Sequence, residues 1–217
     1  MMRIPTLTAL IAATFYAGLR GAEVPVDPAS MPAELARIQS EIARAGPVAC
    51  NFAESRTFPF KKTPTVLEGE SEYIPGQGIV LRYETPEKQT LGIRSDGIIE
   101  IDSSGAKKLR QLPRQYENLM SVYDLDIRRL ADDFYVFFDE EGGEWTIRLA
   151  EKQELVSGAR RREAKGAPVG ITIRGAEGSV RSLEIAKTGA ITVVIDMGKA
   201  RAMTPEESAS ALKMLKQ

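Results

Sequence analysis

Residues 79–102 read IVLRYETPEKQTLGIRSDGIIEID, three apolar runs broken by two turn-forming stretches. In the first run Ile79, Leu81 and Tyr83 alternate with Val80, Arg82 and Glu84. A repeat of two places these sets on opposite faces of a strand, the first toward an interior. Leu91 with Ile93, and Ile99 with Ile101, repeat the alternation. Ser95-Asp96-Gly97 lies between the second and third runs, and Asp-Gly suits the positive backbone angles of a type I′ turn. Antiparallel strands joined by short turns are therefore expected here.

Outward from this stretch the pattern continues. Strands are expected at 49–56 and 66–74 upstream, and at 134–138, 145–150, 170–174, 180–186 and 190–196 downstream. Glu141-Gly142-Gly143, Glu177-Gly178-Ser179 and Thr188-Gly189 supply hairpin chemistry between them. Helices interrupt in three places. Leu35, Ile38 and Ile42 recur at helical spacing over 32–45, and Gly46-Pro47 ends that run. Over 112–130, Leu112, Tyr116, Leu119, Met120, Tyr123, Ile127 and Leu130 share a face, with Asp124 and Asp126 dividing the stretch. Thr204-Pro205-Glu206-Glu207 reads as a capping box with proline at the first helical position, opening a helix through Leu215. About ten short strands with helices before, between and after predict a mainly β fold with helices, an incomplete and strongly curved antiparallel β-barrel. Such a barrel either packs a closed core or, if its own side chains leave it unfilled, holds a ligand. The helical face at 112–130 either packs on the sheet or covers an apolar cavity as a lid.

Composition narrows the function. The chain has 217 residues, no histidine, one cysteine (Cys50) and a formal net charge of -1. Without histidine the commonest general base and metal ligand are missing, and one cysteine permits neither an intramolecular disulfide nor a thiolate cluster. No serine sits in a nucleophile elbow and no glycine run resembles a phosphate loop. An enzyme, a metal site and a cofactor are not expected. The balanced charge gives no attraction toward nucleic acid. Asp132-Asp133 and Asp139-Glu140-Glu141 read as solvated acids, the second group in a hairpin loop without calcium-loop spacing. Arg160-Arg161-Arg162 lies in a polar loop and either meets lipid head groups or an acidic partner, or is simply solvated. Cys50 reads as a small buried hydrophobe.

The N-terminus reads as an address. Arg3 precedes an uncharged apolar stretch from Ile4 to Leu19, short of the roughly 20 residues a spanning helix needs. Residues 1–22 are expected to be a signal peptide, and residues 23–217 a single periplasmic domain, with a membrane anchor as the alternative.

The order of pieces resembles the LolA-type outer-membrane lipoprotein carriers. The resemblance is carried by Asn51-Phe52-Ala53-Glu54-Ser55-Arg56, Leu67-Glu68-Gly69-Glu70-Ser71-Glu72-Tyr73, Ile79-Val80-Leu81-Arg82-Tyr83-Glu84-Thr85-Pro86 and Ser95-Asp96-Gly97, and is best over 34–102. It implies an open barrel with a helical lid over an apolar cavity. The implied partners are acylated lipoproteins or another acyl lipid, an inner-membrane ABC-type lipoprotein-releasing transporter and an outer-membrane receptor. One position departs: where the family has a lid-holding arginine before a proline, this chain has Ile74 before Pro75.

The leading expectation is thus a monomeric periplasmic carrier. Leu67, Tyr73, Ile79, Leu81, Tyr83, Leu91, Ile93, Ile99 and Ile101 would face the ligand, and Tyr116, Leu119, Met120 and Tyr123 would form the lid. A periplasmic sensor or scaffold of the same fold is the second reading. A lipid enzyme using Asp132, Asp133 or Lys187 is the third.

Overall fold

A computed structural model of the chain describes residues 24–102, 104, 107–110, 119–152, 169–187 and 191–216. The leader at 1–22, Tyr116 and the arginine run at 160–162 lie outside the described residues.

The strands form one antiparallel sheet. In chain order they are β1 (Val48–Thr57), β2 (Thr65–Ile74), β3 (Gly78–Thr85), β4 (Gln89–Arg94), β5 (Gly97–Ile101), β6 (Lys107–Arg110), β7 (Phe134–Glu141), β8 (Glu144–Glu151), β9 (Val169–Ala176), β10 (Ser179–Lys187), β11 (Thr192–Met197) and β12 (Arg201–Ala202). Their order across the sheet is β6-β5-β4-β3-β2-β1-β11-β10-β9-β8-β7, with β12 pairing the start of β1. Strands β6 and β7 are the two edges, so the sheet is not closed among the described residues. All ten expected strands are present; β6 and β12 are additional. The join of β1 to β11 brings the two halves of the chain side by side, and β12 extends it at the start of β1.

Helices α1 (Ala33–Arg44), α2 (Leu119–Tyr123) and α3 (Ile127–Asp133) pack on one face of the sheet, here called the inner face, and α4 (Pro205–Leu215) on the outer. Helix α1 presents Leu35, Ile38 and Ile42, all buried, and ends where Gly46 takes φ +69° before Pro47. Helix α4 starts as its capping box requires: the Glu207 amide donates to Thr204 Oγ1 and the Thr204 amide to Glu207 Oε2. Arg201 locks this end of the helix, bonding both Glu207 and Glu70. Room for α4 comes from the sheet itself, since a Cβ on Gly92 would stand 2.7 Å from Met214 Sδ.

The β4–β5 hairpin corrects one expectation. Its register pairs Arg94 with Gly97, Ile93 with Ile98 and Gly92 with Ile99. The turn is therefore Ser95-Asp96, not Asp96-Gly97. Cross-strand partners share a face, and a shift of one residue exchanges the faces of a whole strand. Ile98 consequently joins the inner face, while Ile99 and Ile101 pack outside with Ile74, Val80, Met214 and Leu215. Asp139, Glu140 and Glu141 also differ from expectation: they belong to β7, whose turn is Gly142-Gly143 alone.

Candidate functional site

The inner face has two unequal halves. Over β7–β10 it is sealed by α1 and α3, whose Leu35, Ile38, Ile127 and Leu130 are fully buried against Ile147 and Ile173. Trp145 closes one end, its indole N–H donating to the Glu177 carbonyl at 2.8 Å. Gly175 exists to admit that ring, since a Cβ there would stand 2.1 Å from Trp145 Cζ2. This half is a core filled by its own side chains.

Over β1–β5 the cover is shorter among the described residues. Phe52, Tyr73, Ile79, Leu81, Tyr83 and Ile93 form an apolar surface, flanked by half-buried Val48, Leu67, Leu91 and Ile98. The helical contribution to it is Met120 and Tyr123 of the five-residue α2. Of the expected ligand-facing residues, Leu67, Tyr73, Ile79, Leu81, Tyr83, Leu91 and Ile93 lie together here, and Ile99 and Ile101 lie on the other face. Of the expected lid residues, Met120 and Tyr123 lie over this surface and Leu119 begins α2. Phe52, Glu54 and Ile98 were not anticipated. The period-two pattern of β1 would have found Phe52; a lone glutamate between alanine and serine carries no such signal.

Polar groups stud this surface, and at two places a tyrosine hydroxyl donates to a carboxylate. The Tyr73 hydroxyl donates to the Asp124 carboxylate just after α2, and the Tyr73 ring lies 6.0 Å from that of Tyr123. This is the polar tie between the sheet and its cover. Deeper in β1, Glu54 is buried; it accepts from Tyr83 Oη at 2.7 Å and Arg56 Nε at 2.5 Å. The Tyr83 ring stands edge-on to Phe52 at 5.2 Å. Burial first, then the Asp124 hydrogen bond, pushes the Tyr73 phenol up. Burial and the Glu54 charge raise Tyr83, and burial raises Tyr123. Burial likewise raises the Cys50 thiol on β1. These shifts keep the phenols and the thiol neutral, the form that packs and donates rather than the form that attacks. Asp132 and Asp133 stand exposed at the end of α3. No cluster suited to a metal ion occurs among the described residues, and no described helix is long and apolar enough to cross a membrane.

Two open grooves lie elsewhere. One of about 690 Å³ runs along the β7 edge between Pro25, Val26 and Pro28 on one side and Arg128, Tyr135 and Lys152 on the other. A second of about 540 Å³ flanks α4 at Leu212 and Lys216. None of the nine expected ligand-facing residues lines either groove.

No family model matches the chain, and no curated protein matches it. Solved structures similar to it include a LolA superfamily protein from Nitrosomonas europaea, at 7% identity and TM-score 0.41, covering 77% of this chain and 92% of that one. A DUF1329 family protein from Desulfovibrio piger is similar at 9% identity and TM-score 0.43, covering 79% and 92%. An outer-membrane lipoprotein-sorting protein domain from Vibrio parahaemolyticus is similar at 8% identity and TM-score 0.42, covering 85% and 97%.

Proposed function

We propose that the chain is a periplasmic carrier that holds acyl chains, of a lipoprotein or another acyl lipid, on the inner face of β1–β5. One observation supports this reading above the others: among the described residues the apolar surface there is covered by a five-residue helix, whereas the neighbouring half is sealed by two longer ones. A ligand enters by displacing Met120 and Tyr123. Exposing those two side chains costs about 1.5–3 kcal/mol each. Each buried CH₂ of an acyl chain returns about 0.8 kcal/mol relative to water. A chain of about a dozen carbons therefore outweighs the loss, and the exchange needs no covalent step. Delivery from the inner to the outer membrane, through a releasing transporter and a receptor, belongs to the same reading.

Native mass spectrometry after gentle purification is expected to find a lipid or acylated peptide bound. A protein that purifies empty, and fails to bind a fluorescent fatty acid, overturns the reading.

A second reading, a periplasmic sensor or scaffold, is favoured by the groove along β7. There the Val26 amide already donates to the Val136 carbonyl at 2.7 Å, as an added strand would. A lipoprotein-release assay on spheroplasts separates the two, since a sensor releases nothing.

A further inference from the structure

The tip of the β1–β2 hairpin does not resemble the rest of the surface. Phe60 is 86% exposed, the most exposed large apolar side chain among the described residues. Its ring meets that of Phe58 with centroids 5.6 Å apart and planes inclined at 43°. The turn beneath them is structured: the Lys61 amide donates to the Phe58 carbonyl at 3.1 Å, and Lys61 Nζ donates to Thr65 Oγ1 at 2.8 Å. Val66 adds a half-exposed apolar side chain beside the tip, and Ile191 another, because Thr192 pairs with Thr57. Residues 56–66 contain Arg56, Lys61 and Lys62 and no acid.

Phe58, Phe60, Val66 and Ile191 gather apolar side chains at one tip, and such a cluster, unlike a lone exposed side chain, points to a contact surface. A single aromatic tip is too small for the roughly 800 Å² per partner of a stable protein interface. It does match a bilayer, where aromatic side chains settle at the headgroup level and lysines extend to anionic headgroups. We propose that the β1–β2 hairpin is a membrane-contact element that sets Phe60, backed by Phe58, into an anionic bilayer surface, with Lys61 and Lys62 on the headgroups. This element is separate from the inner face and does not depend on what that face carries.

The test places an environment-sensitive fluorophore on Phe60→Cys in the full chain carrying Cys50→Ser. The control label sits on Gln77→Cys, an exposed turn at the opposite end of β2. Phosphatidylcholine vesicles containing phosphatidylglycerol are expected to shift the label at 60 to the blue and leave that at 77 unchanged. Phosphatidylcholine alone should shift neither. In flotation with the mixed vesicles, Phe60→Ser should lower the bound fraction about tenfold or more. Lys61→Gln with Lys62→Gln should lower it by on the order of tenfold to thirtyfold, as should a rise in salt. A label at 60 that stays in water on anionic vesicles overturns the proposal. An equal shift at 77, or binding indifferent to both Phe60 and the lysines, overturns it as well.

Discussion

Replacing Tyr73 by phenylalanine removes one oxygen and, with it, the polar tie between β2 and the segment that ends α2. The ring that lies 6.0 Å from Tyr123 is retained, so the packing of the cover is unchanged. What is lost is a hydrogen bond from the phenol to the Asp124 carboxylate. Bonds to charged groups contribute about 1.5–3 kcal/mol. Asp124 is only half-buried and regains water when the phenol is gone, which sets the cost near the lower end, about 1.5 kcal/mol. About 1.4 kcal/mol is tenfold in an equilibrium, so the open form of the cover should become roughly ten times more populated. Hydrogen exchange reads this locally. The amides of Asp124 and Asp126 are held by the Met120 and Ser121 carbonyls, each at 2.8 Å. Those two amides should exchange about tenfold faster in Tyr73→Phe. Amides of Ile147 and Ile173, in the sealed half, should keep their rates. Uptake of a fluorescent fatty acid should quicken by a similar factor if the cover gates entry. Unchanged exchange at 124 and 126, or equal acceleration at 147 and 173, would refute the idea that Tyr73 ties down a separately moving cover.

Three further expectations follow from the geometry. Gly175→Ala drives a methyl to 2.1 Å from Trp145 and 2.4 Å from the Ser179 carbonyl. It should cost about 1–3 kcal/mol in urea unfolding and red-shift the emission of the single tryptophan. At alkaline pH, Tyr73, Tyr83 and Tyr123 hold their protons more tightly in the folded chain than at the ordinary phenol value of 10.0. Stability from this source is complete below that value and lost as pH climbs beyond it, so phenolate absorbance from these residues should appear together with unfolding. Gradual titration of all phenols without unfolding would contradict their burial. At the acid end, the Arg201 guanidinium and then the Thr204 amide bring Glu207 from 4.5 down to about 2. Its contribution is present above 4.5 and fades as pH falls toward 2, so α4 should fray over that window, and Glu207→Gln should abolish the dependence in far-UV circular dichroism.

Much of the architecture was legible because it is written in neighbouring residues. Leu35, Ile38 and Ile42 announce α1 by spacing, and Thr204 with Glu207 announces the first turn of α4, because caps act over three residues. Gly142-Gly143 marks a hairpin for a similar reason, both residues taking positive φ. Glu54 stayed hidden. A carboxylate reads as surface in any linear pattern, and only the fold brings Tyr83, 29 positions away, to donate to it. The tie between Tyr73 and Asp124 spans 51 positions and was hidden in the same way.

The apolar stretch at 79–102 shows where the division falls. Its residues by themselves determined three antiparallel strands and two turns, since alternation and turn chemistry are local. They did not determine which isoleucines look inward. Val80 sits between Ile79 and Leu81, and Ile98 directly precedes Ile99, so both faces are apolar and a one-residue slip leaves the pattern equally satisfied. The choice was made in three dimensions. Helix α4 covers the outer face against Val80 and Ile99, and Met120 of α2 covers the inner face beside Ile79 and Leu81. Only burial on both sides, by helices from distant parts of the chain, decides which residues look inward.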